Sequence, residues 1–197
     1  VGVDPSFVAG QLGGAVQLDG LRNASIAPNP ALDLSQQVTL EAWVNVDAFD
    51  DTWQPLLYKG SPATINGSTR TWALWLNANG SVYFGGADAS GEQTAQTAAG
   101  VIVPGQWHHV AAVMDRVAGT LRIVVDGVEQ ALRTNLRKTV GFDSSGLPLH
   151  IGTNVEPDAS QASFHGRIDD IRIWNTVLST EDIAAGKDAP LVGNEAG

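Results

Sequence analysis

Apolar and polar positions alternate along most of this chain. In Val38-Thr-Leu-Glu-Ala-Trp-Val-Asn-Val46, the residues Val38, Leu40, Ala42, Val44 and Val46 fall on one face, and Thr39, Glu41, Trp43 and Asn45 on the other. A period of two is that of a strand with one buried face. Near the end, Ile171 and Ile173 alternate with Arg172 and Trp174 in the same way, which predicts a closing strand over 166–175. Shorter runs predict strands at 15–20, 55–59, 72–76, 82–84, 105–114, 121–125, 128–130 and 149–152, with a polar loop over 60–70.

The punctuation between these runs supplies the turns. Asn77-Ala-Asn-Gly80 connects 72–76 to 82–84 as a hairpin, and Asp126-Gly127 connects 121–125 to 128–130. Asn-Gly and Asp-Gly accept the positive φ that such turns demand. One helical signal stands out. Ser179 or Thr180 can cap a single turn that holds Glu181, Asp182 and Ile183, over 180–185. No long crossover helix separates the strands, and they are too many for one open sheet. The expected fold is therefore all-β: a two-sheet antiparallel jelly-roll β-sandwich with one short C-terminal helical turn. A single domain over 1–197, with its core at about 15–185, is expected from this length.

Composition narrows the function. Acidic residues outnumber basic ones by 21 to 11, a formal net charge of −10, and the chain lacks the basic footprint that nucleic acid or an anionic membrane surface requires. Cysteine is absent, which excludes disulfide scaffolds, thiolate–zinc sites and thiol nucleophiles. No apolar run reaches 18 residues, so no membrane insertion is expected. The start at Val1-Gly2-Val3 carries no leader pattern and reads as a piece of a larger multidomain chain.

Six pieces in order carry a resemblance: Leu40-Glu-Ala-Trp43-Val, Leu57-Tyr-Lys-Gly60, Trp107-His-His-Val110-Ala-Ala-Val, Leu121-Arg-Ile-Val-Val-Asp126-Gly127, Leu149-His-Ile-Gly152 and Gly166-Arg-Ile-Asp169-Asp-Ile-Arg-Ile-Trp174-Asn175. Together they resemble a laminin-G-like, concanavalin A-like domain of the bacterial, pentraxin-related type. That fold hosts lectins, adhesion modules, glycoside hydrolases and polysaccharide lyases, so function must come from a site.

Catalysis finds little support in the residues. Hydrolases of this fold place two or three acids on one strand, and no Glu-x-Asp-x-Glu run is present; Glu41 stands alone beside Trp43. Only Tyr58 and Tyr83 are available for the tyrosine of a lyase constellation, and neither lies in a suitable run. His108 and His109 are neighbours on a strand and point to opposite faces, so they cannot converge on one ion. The chain is expected to be non-catalytic.

The resemblance implies calcium as a cofactor, at two places. In similar domains a turn after an early strand and an acid on the closing strand hold a structural ion, which maps to Asp19, Gly20, Asp169 and Asp170. The alternative is an Asx turn at Asp19 and a backbone bond at Asp169. Pentraxins carry a Glu-x-Asp element and a later Gln that bind calcium at the ligand face, which maps to Glu156, Asp158 and Gln161; the alternative is an ordinary surface loop. The earlier pentraxin ligand loop retains only Asn66.

Aromatic rings are the other route to a ligand, because sugars offer apolar C–H faces that stack on them. Trp43 and Trp75 fall opposite their strands' aliphatic residues and are expected to line the concave sheet. Trp53 follows Asp50 and Asp51 in a loop. The sequence thus predicts an extracellular or cell-surface recognition module within a larger adhesin or secreted enzyme, binding a glycan or glycoprotein with calcium. The competing reading is a structural spacer without a ligand of its own.

Overall fold

The computed structural model describes residues 6–20, 23–49, 53–61, 70–139, 141, 145–154 and 163–193. In chain order the strands are β1 (Ser6–Ala9), β2 (Gly14–Asp19), β3 (Ala24–Ile26), β4 (Gln37–Val46), β5 (Trp53–Gly60), β6 (Arg70–Asn77) and β7 (Val82–Asp88). There follow β8 (Gly91–Gln96), β9 (Trp107–Asp115), β10 (Thr120–Val125), β11 (Val128–Arg133), β12 (Leu149–Ile151) and β13 (His165–Trp174). A 3-10 turn spans Pro30–Leu32, and one helix, α1 (Thr180–Gly186), follows β13. The strands form a seven-stranded sheet in the order β1-β2-β13-β4-β9-β10-β11 and a six-stranded sheet in the order β3-β12-β5-β6-β7-β8. Every pairing is antiparallel. This is the two-sheet sandwich that the alternation predicts.

The core lies between the sheets, and the strand period decides which residues enter it. Val38, Leu40, Ala42, Val44 and Val46 of β4 face Leu56, Leu57, Trp72, Leu74, Leu76 and Phe84 of the other sheet. The closing strand departs from strict alternation. Ile168 and the odd-numbered Ile171 and Ile173 all pack on the same core. The pairing with β4 slips between Asp169 and Arg172, and Asp170 sits at φ 50°. An extra residue in a bulge switches the face, and a short acidic side chain tolerates the left-handed backbone it needs. Instead of lying at an edge, β13 runs between β2 and β4 in mid-sheet.

The predicted turns form as expected. Gly80 has φ 77°, and Asp126 and Gly127 have φ 52° and 80°, the pair of positive angles of a type I′ hairpin turn. Ser179 caps α1, its hydroxyl accepting from the Asp182 N–H. Ile183 then packs on Ala111, Val113 and Val124. The outer face of the seven-stranded sheet is therefore covered by the C-terminal segment. Three strands lack a sequence signal: β1 and β3 are short edges, and β8 (Gly-Glu-Gln-Thr-Ala-Gln) is a mostly polar edge.

The sheets are also stitched by a buried ionic network. Asp88, 2% exposed at the end of β7, accepts from Arg137 Nε at 2.9 Å, Arg137 Nη2 at 3.0 Å, Thr139 Oγ1 at 2.5 Å and the Ser90 N–H at 2.7 Å. Arg116, fully buried just past β9, lies 3.6 Å away. Burial alone would raise the carboxyl's pKa, but the hydrogen bonds from Arg137, Thr139 and Ser90 outweigh it and hold the group at about 2 instead of 3.8. The folded protein thus releases this proton more readily than the unfolded chain does. The associated stability, on the order of 2 kcal/mol, is complete above roughly pH 5 and drains as the pH falls through 4 toward 2. Urea titrations at pH 7 and pH 3 test this: the stability gap between wild type and Asp88→Asn should shrink at the lower pH. A constant gap would refute it.

Candidate functional site

The outer face of the six-stranded sheet carries an aromatic groove. On β6, Trp72, Leu74 and Leu76 point into the main core, which turns Ala73 and Trp75 to the sheet's other face with Tyr58, where all three are buried and Trp53 and Tyr83 pack against them. The Asn79-Gly80 hairpin sets the register Leu76↔Val82 and hence Trp75↔Tyr83. Trp53, first residue of β5, meets Tyr83 edge-on with ring centres 5.2 Å apart. Tyr58 meets Trp75 at 6.2 Å. The resulting cavity is about 180 Å³, lined by Trp53, Arg70, Trp75 and Tyr83. That is smaller than the roughly 300–1,000 Å³ of a site for drug-sized ligands and suits one sugar ring.

Arg70 reaches this face through a bulge. Strict alternation would send it inward with Trp72. However, Lys59 pairs with Trp72 and Gly60 with Arg70, so β6 holds one extra residue there. The extra residue re-aims the side chain, and the Arg70 guanidinium lies 5.1 Å over the Trp75 ring. Its Nη1 donates to Glu92 Oε1 at 2.6 Å. Burial and the adjacent Glu92 charge raise the Tyr83 phenol above its usual pKa. His150, beside Tyr58 with ring centres 6.4 Å apart, has its pKa lowered by burial and by the Lys59 charge, so it is neutral at pH 7. The groove combines ring faces, a phenol and a paired cation and anion.

A second cavity of about 400 Å³ lies on the opposite sheet, under the C-terminal segment, with Glu41, Arg172, Trp174 and Leu191 among its walls. Several of its polar groups are engaged locally, although Glu41 Oε2 and Arg172 Nε are buried without a hydrogen bond. Glu41 Oε1 accepts from Trp174 Nε1 at 2.6 Å, and Arg172 donates to the Gly186 and Ala189 carbonyls at 3.0 and 2.6 Å. These bonds make it a seam that fastens the C-terminal segment to the sheet.

The model of the concanavalin A-like lectin/glucanases superfamily matches residues 19–184. The chain belongs to this superfamily. No curated sequence matches it. Among solved structures it is similar to domain 4 of AbnA, a GH43 extracellular arabinanase from Geobacillus stearothermophilus in complex with arabinotriose. The TM-score is 0.69 at 20% identity, covering 93% of this chain and 81% of that one. It is also similar to the CBM40 of the Ruminococcus gnavus IT-sialidase, bound to α2,3-sialyllactose, with TM-score 0.66, 14% identity and coverage of 87% and 95%. A native heptameric SAP-like pentraxin from Limulus polyphemus gives TM-score 0.58 at 19% identity, covering 85% and 82%. At these identities the likeness is one of fold.

Within this concanavalin A-like sandwich, the residues expected to hold a first calcium do not meet. Asp19 pairs with His165, and Asp169 lies four residues farther along β13, roughly 13 Å away at 3.3 Å per residue. Asp169 Oδ2 instead accepts the Leu12 N–H at 2.8 Å at the opposite end of β2, and Asp170 is ion-paired with Arg172. Asp19, Gly20, Asp169 and Asp170 thus do not fit one ion, and no cluster of three or more His, Asp or Glu suited to a metal exists among the described residues. The backbone-bond alternative at Asp169 is the one observed. Glu156, Asp158, Gln161, Asn66, Asp50 and Asp51 lie outside the described residues.

The tryptophans separate. Trp75 lines the groove, though only 2% exposed, and Trp53 does so from a strand instead of a loop. Trp43 does not: it lies on the other sheet, its Nε1 donating to the Lys187 carbonyl at 2.9 Å. Both were expected on one surface because alternation places a residue outside its own strand without saying which sheet that strand joins. His108 and His109 do diverge. Nε2 of His108 accepts the Val103 N–H at 3.1 Å, so Nδ1 carries the proton that faces Asp126 Oδ2 at 2.8 Å. His109 lies edge-on to Trp43 at 5.3 Å, its Nε2 3.4 Å from Glu41 Oε2. Sequence reasoning missed Arg70, Tyr83 and Glu92. Counting outward from the Asn79-Gly80 turn in both directions would have set Tyr83 opposite Trp75.

Proposed function

We propose that this chain is a non-catalytic carbohydrate-binding module of a larger extracellular protein, and that the groove of Trp53, Trp75, Tyr83 and Arg70 is its glycan site. The observation that carries the reading is the groove itself: the partly exposed rings of Trp53 and Tyr83 for the C–H side of a sugar, flanked by an Arg–Glu pair for its hydroxyls. The complexes of the arabinanase domain with arabinotriose and of the sialidase module with sialyllactose support it. Among the described residues bordering the groove, Glu92 is one carboxylate and is engaged by Arg70, whereas glycoside hydrolysis uses two carboxylates flanking the bond. No helix among the described residues is long and apolar enough to cross a membrane.

A glycan array followed by calorimetry on the best ligand tests the proposal. Trp53→Ala should weaken binding at least tenfold, about 1.4 kcal/mol. Val117→Ser, at an exposed turn of the other sheet, should leave it unchanged. Unaltered binding by the Trp53 variant would move the site elsewhere, and a flat array would favour the spacer reading. Calcium enters the proposal through the Glu156-x-Asp158 spacing alone. An ion held only by the native state raises the melting temperature by mass action. Equal melting temperature and equal binding in calcium and in chelator would remove it.

A further inference from the structure

Granting the glycan-binding reading of the groove, we propose that Glu92 makes the site selective for neutral sugars over acidic ones, by placing its own carboxylate on the cation, Arg70, that a sugar carboxylate would seek. Arginine recognises a carboxylate through two parallel N–H donors presented on one edge. Here Nη1 already donates to Glu92 Oε1 at 2.6 Å, while one face of the guanidinium lies on the Trp75 ring at 5.1 Å. The carboxylate of a sialic or uronic acid must displace Glu92 or settle beside it. Either way two like charges share a partly desolvated pocket around one cation.

Among the described residues, His150, Lys59, Arg137 and Arg133 do not supply a second cation. His150 is neutral at pH 7, because burial and the Lys59 charge both oppose its protonation. The Lys59 ammonium points away from the groove, to the Leu147 carbonyl at 2.6 Å and Asp33 at 3.0 Å. Arg137 is held by Asp88, and Arg133 donates to the Thr94 carbonyl and to Asn135. The net charge of −10 acts in the same direction, although salt screens it beyond about 8 Å at physiological ionic strength.

A neutral sugar meets no such conflict. Each hydroxyl both donates and accepts. One hydroxyl can accept from Arg70 while its ring neighbour donates to Glu92, with the C–H face of the ring on an aromatic side chain. The ion pair then acts as a preformed donor–acceptor couple matched to two adjacent hydroxyls.

Matched ligand pairs that differ only in the acid test this: galacturonate against galactose oligomers, and α2,3-sialyllactose against lactose. For any pair that binds, the intact protein should prefer the neutral member at least tenfold. Glu92→Gln should narrow that ratio at least tenfold by removing the like charge beside the guanidinium, while Glu92→Asp keeps the preference for the neutral member. Thermal melts check that the variants fold, and the intact protein's own ratio stands even if they do not. A preference of the intact protein for the acidic member overturns the selectivity and leaves the groove as the site. An unchanged ratio in folded Glu92→Gln removes Glu92 as its cause. Failure of every pair to bind would sink the glycan-binding reading and the selectivity together.

Discussion

Replacing Asp88 with alanine is expected to lower the unfolding free energy by about 3–5 kcal/mol, the range for breaking a buried ion pair from one side. The size follows from what stays behind. Arg116 has no exposed surface, and its remaining contacts are the Ala87 and Arg137 carbonyls at 3.2 and 3.3 Å. Without Asp88, two guanidinium groups face each other across a void, and Thr139 and the Ser90 N–H lose their acceptor. A domain with a total stability of 5–15 kcal/mol cannot absorb that loss unnoticed. Asp88→Asn keeps an acceptor oxygen and should cost less than alanine. Urea denaturation of both variants at pH 7 measures the difference. An alanine variant within 1 kcal/mol of wild type would mean that the network is solvated and adds little.

The fold was legible in the sequence wherever a strand is buried on one face and bounded by a turn with positive φ. Val38–Val46 and the hairpins at Asn79-Gly80 and Asp126-Gly127 are of this kind, because alternation and turn chemistry are local properties. The groove was only half legible. Trp75 and Tyr83 could be placed opposite each other by counting from the turn. Arg70 could not, since the bulge that brings it to the same face leaves no mark in the pattern. Glu92 lies on a polar edge strand whose composition resembles a loop. The expected pairing of Asp19 with Asp169 failed because strand register, which no local pattern states, sets them four residues apart. Register and sheet membership are long-range properties of the packed core, and they decided which of the candidate residues could meet.

Asp33→Ala is expected to destabilise the protein by about 3 kcal/mol or more, and Lys59→Met, at the other end of the same ion pair, by only about 1–2 kcal/mol. The asymmetry comes from burial. The Lys59 side chain is fully buried on β5, while the Asp33 side chain, just after the 3-10 turn, is 21% exposed. Losing Asp33 leaves an ammonium inside the protein with the Leu147 carbonyl as its remaining bond at 2.6 Å. Losing the ammonium leaves Asp33 Oδ1 buried without a partner, but on a side chain that is 21% exposed and so within reach of water elsewhere. One carbonyl is then short of a donor, and a thioether chain fills the space of the lysine stem. The double variant should recover most of the Asp33→Ala loss, since its buried charge is gone. A double-mutant cycle in urea therefore has a stated sign: the combined cost should fall well below the sum of the two single costs. Strict additivity would show that the two side chains do not act as a pair. Lys59 would then be held by its carbonyl bond and stem packing, and the Asp33 segment would owe its position to other contacts.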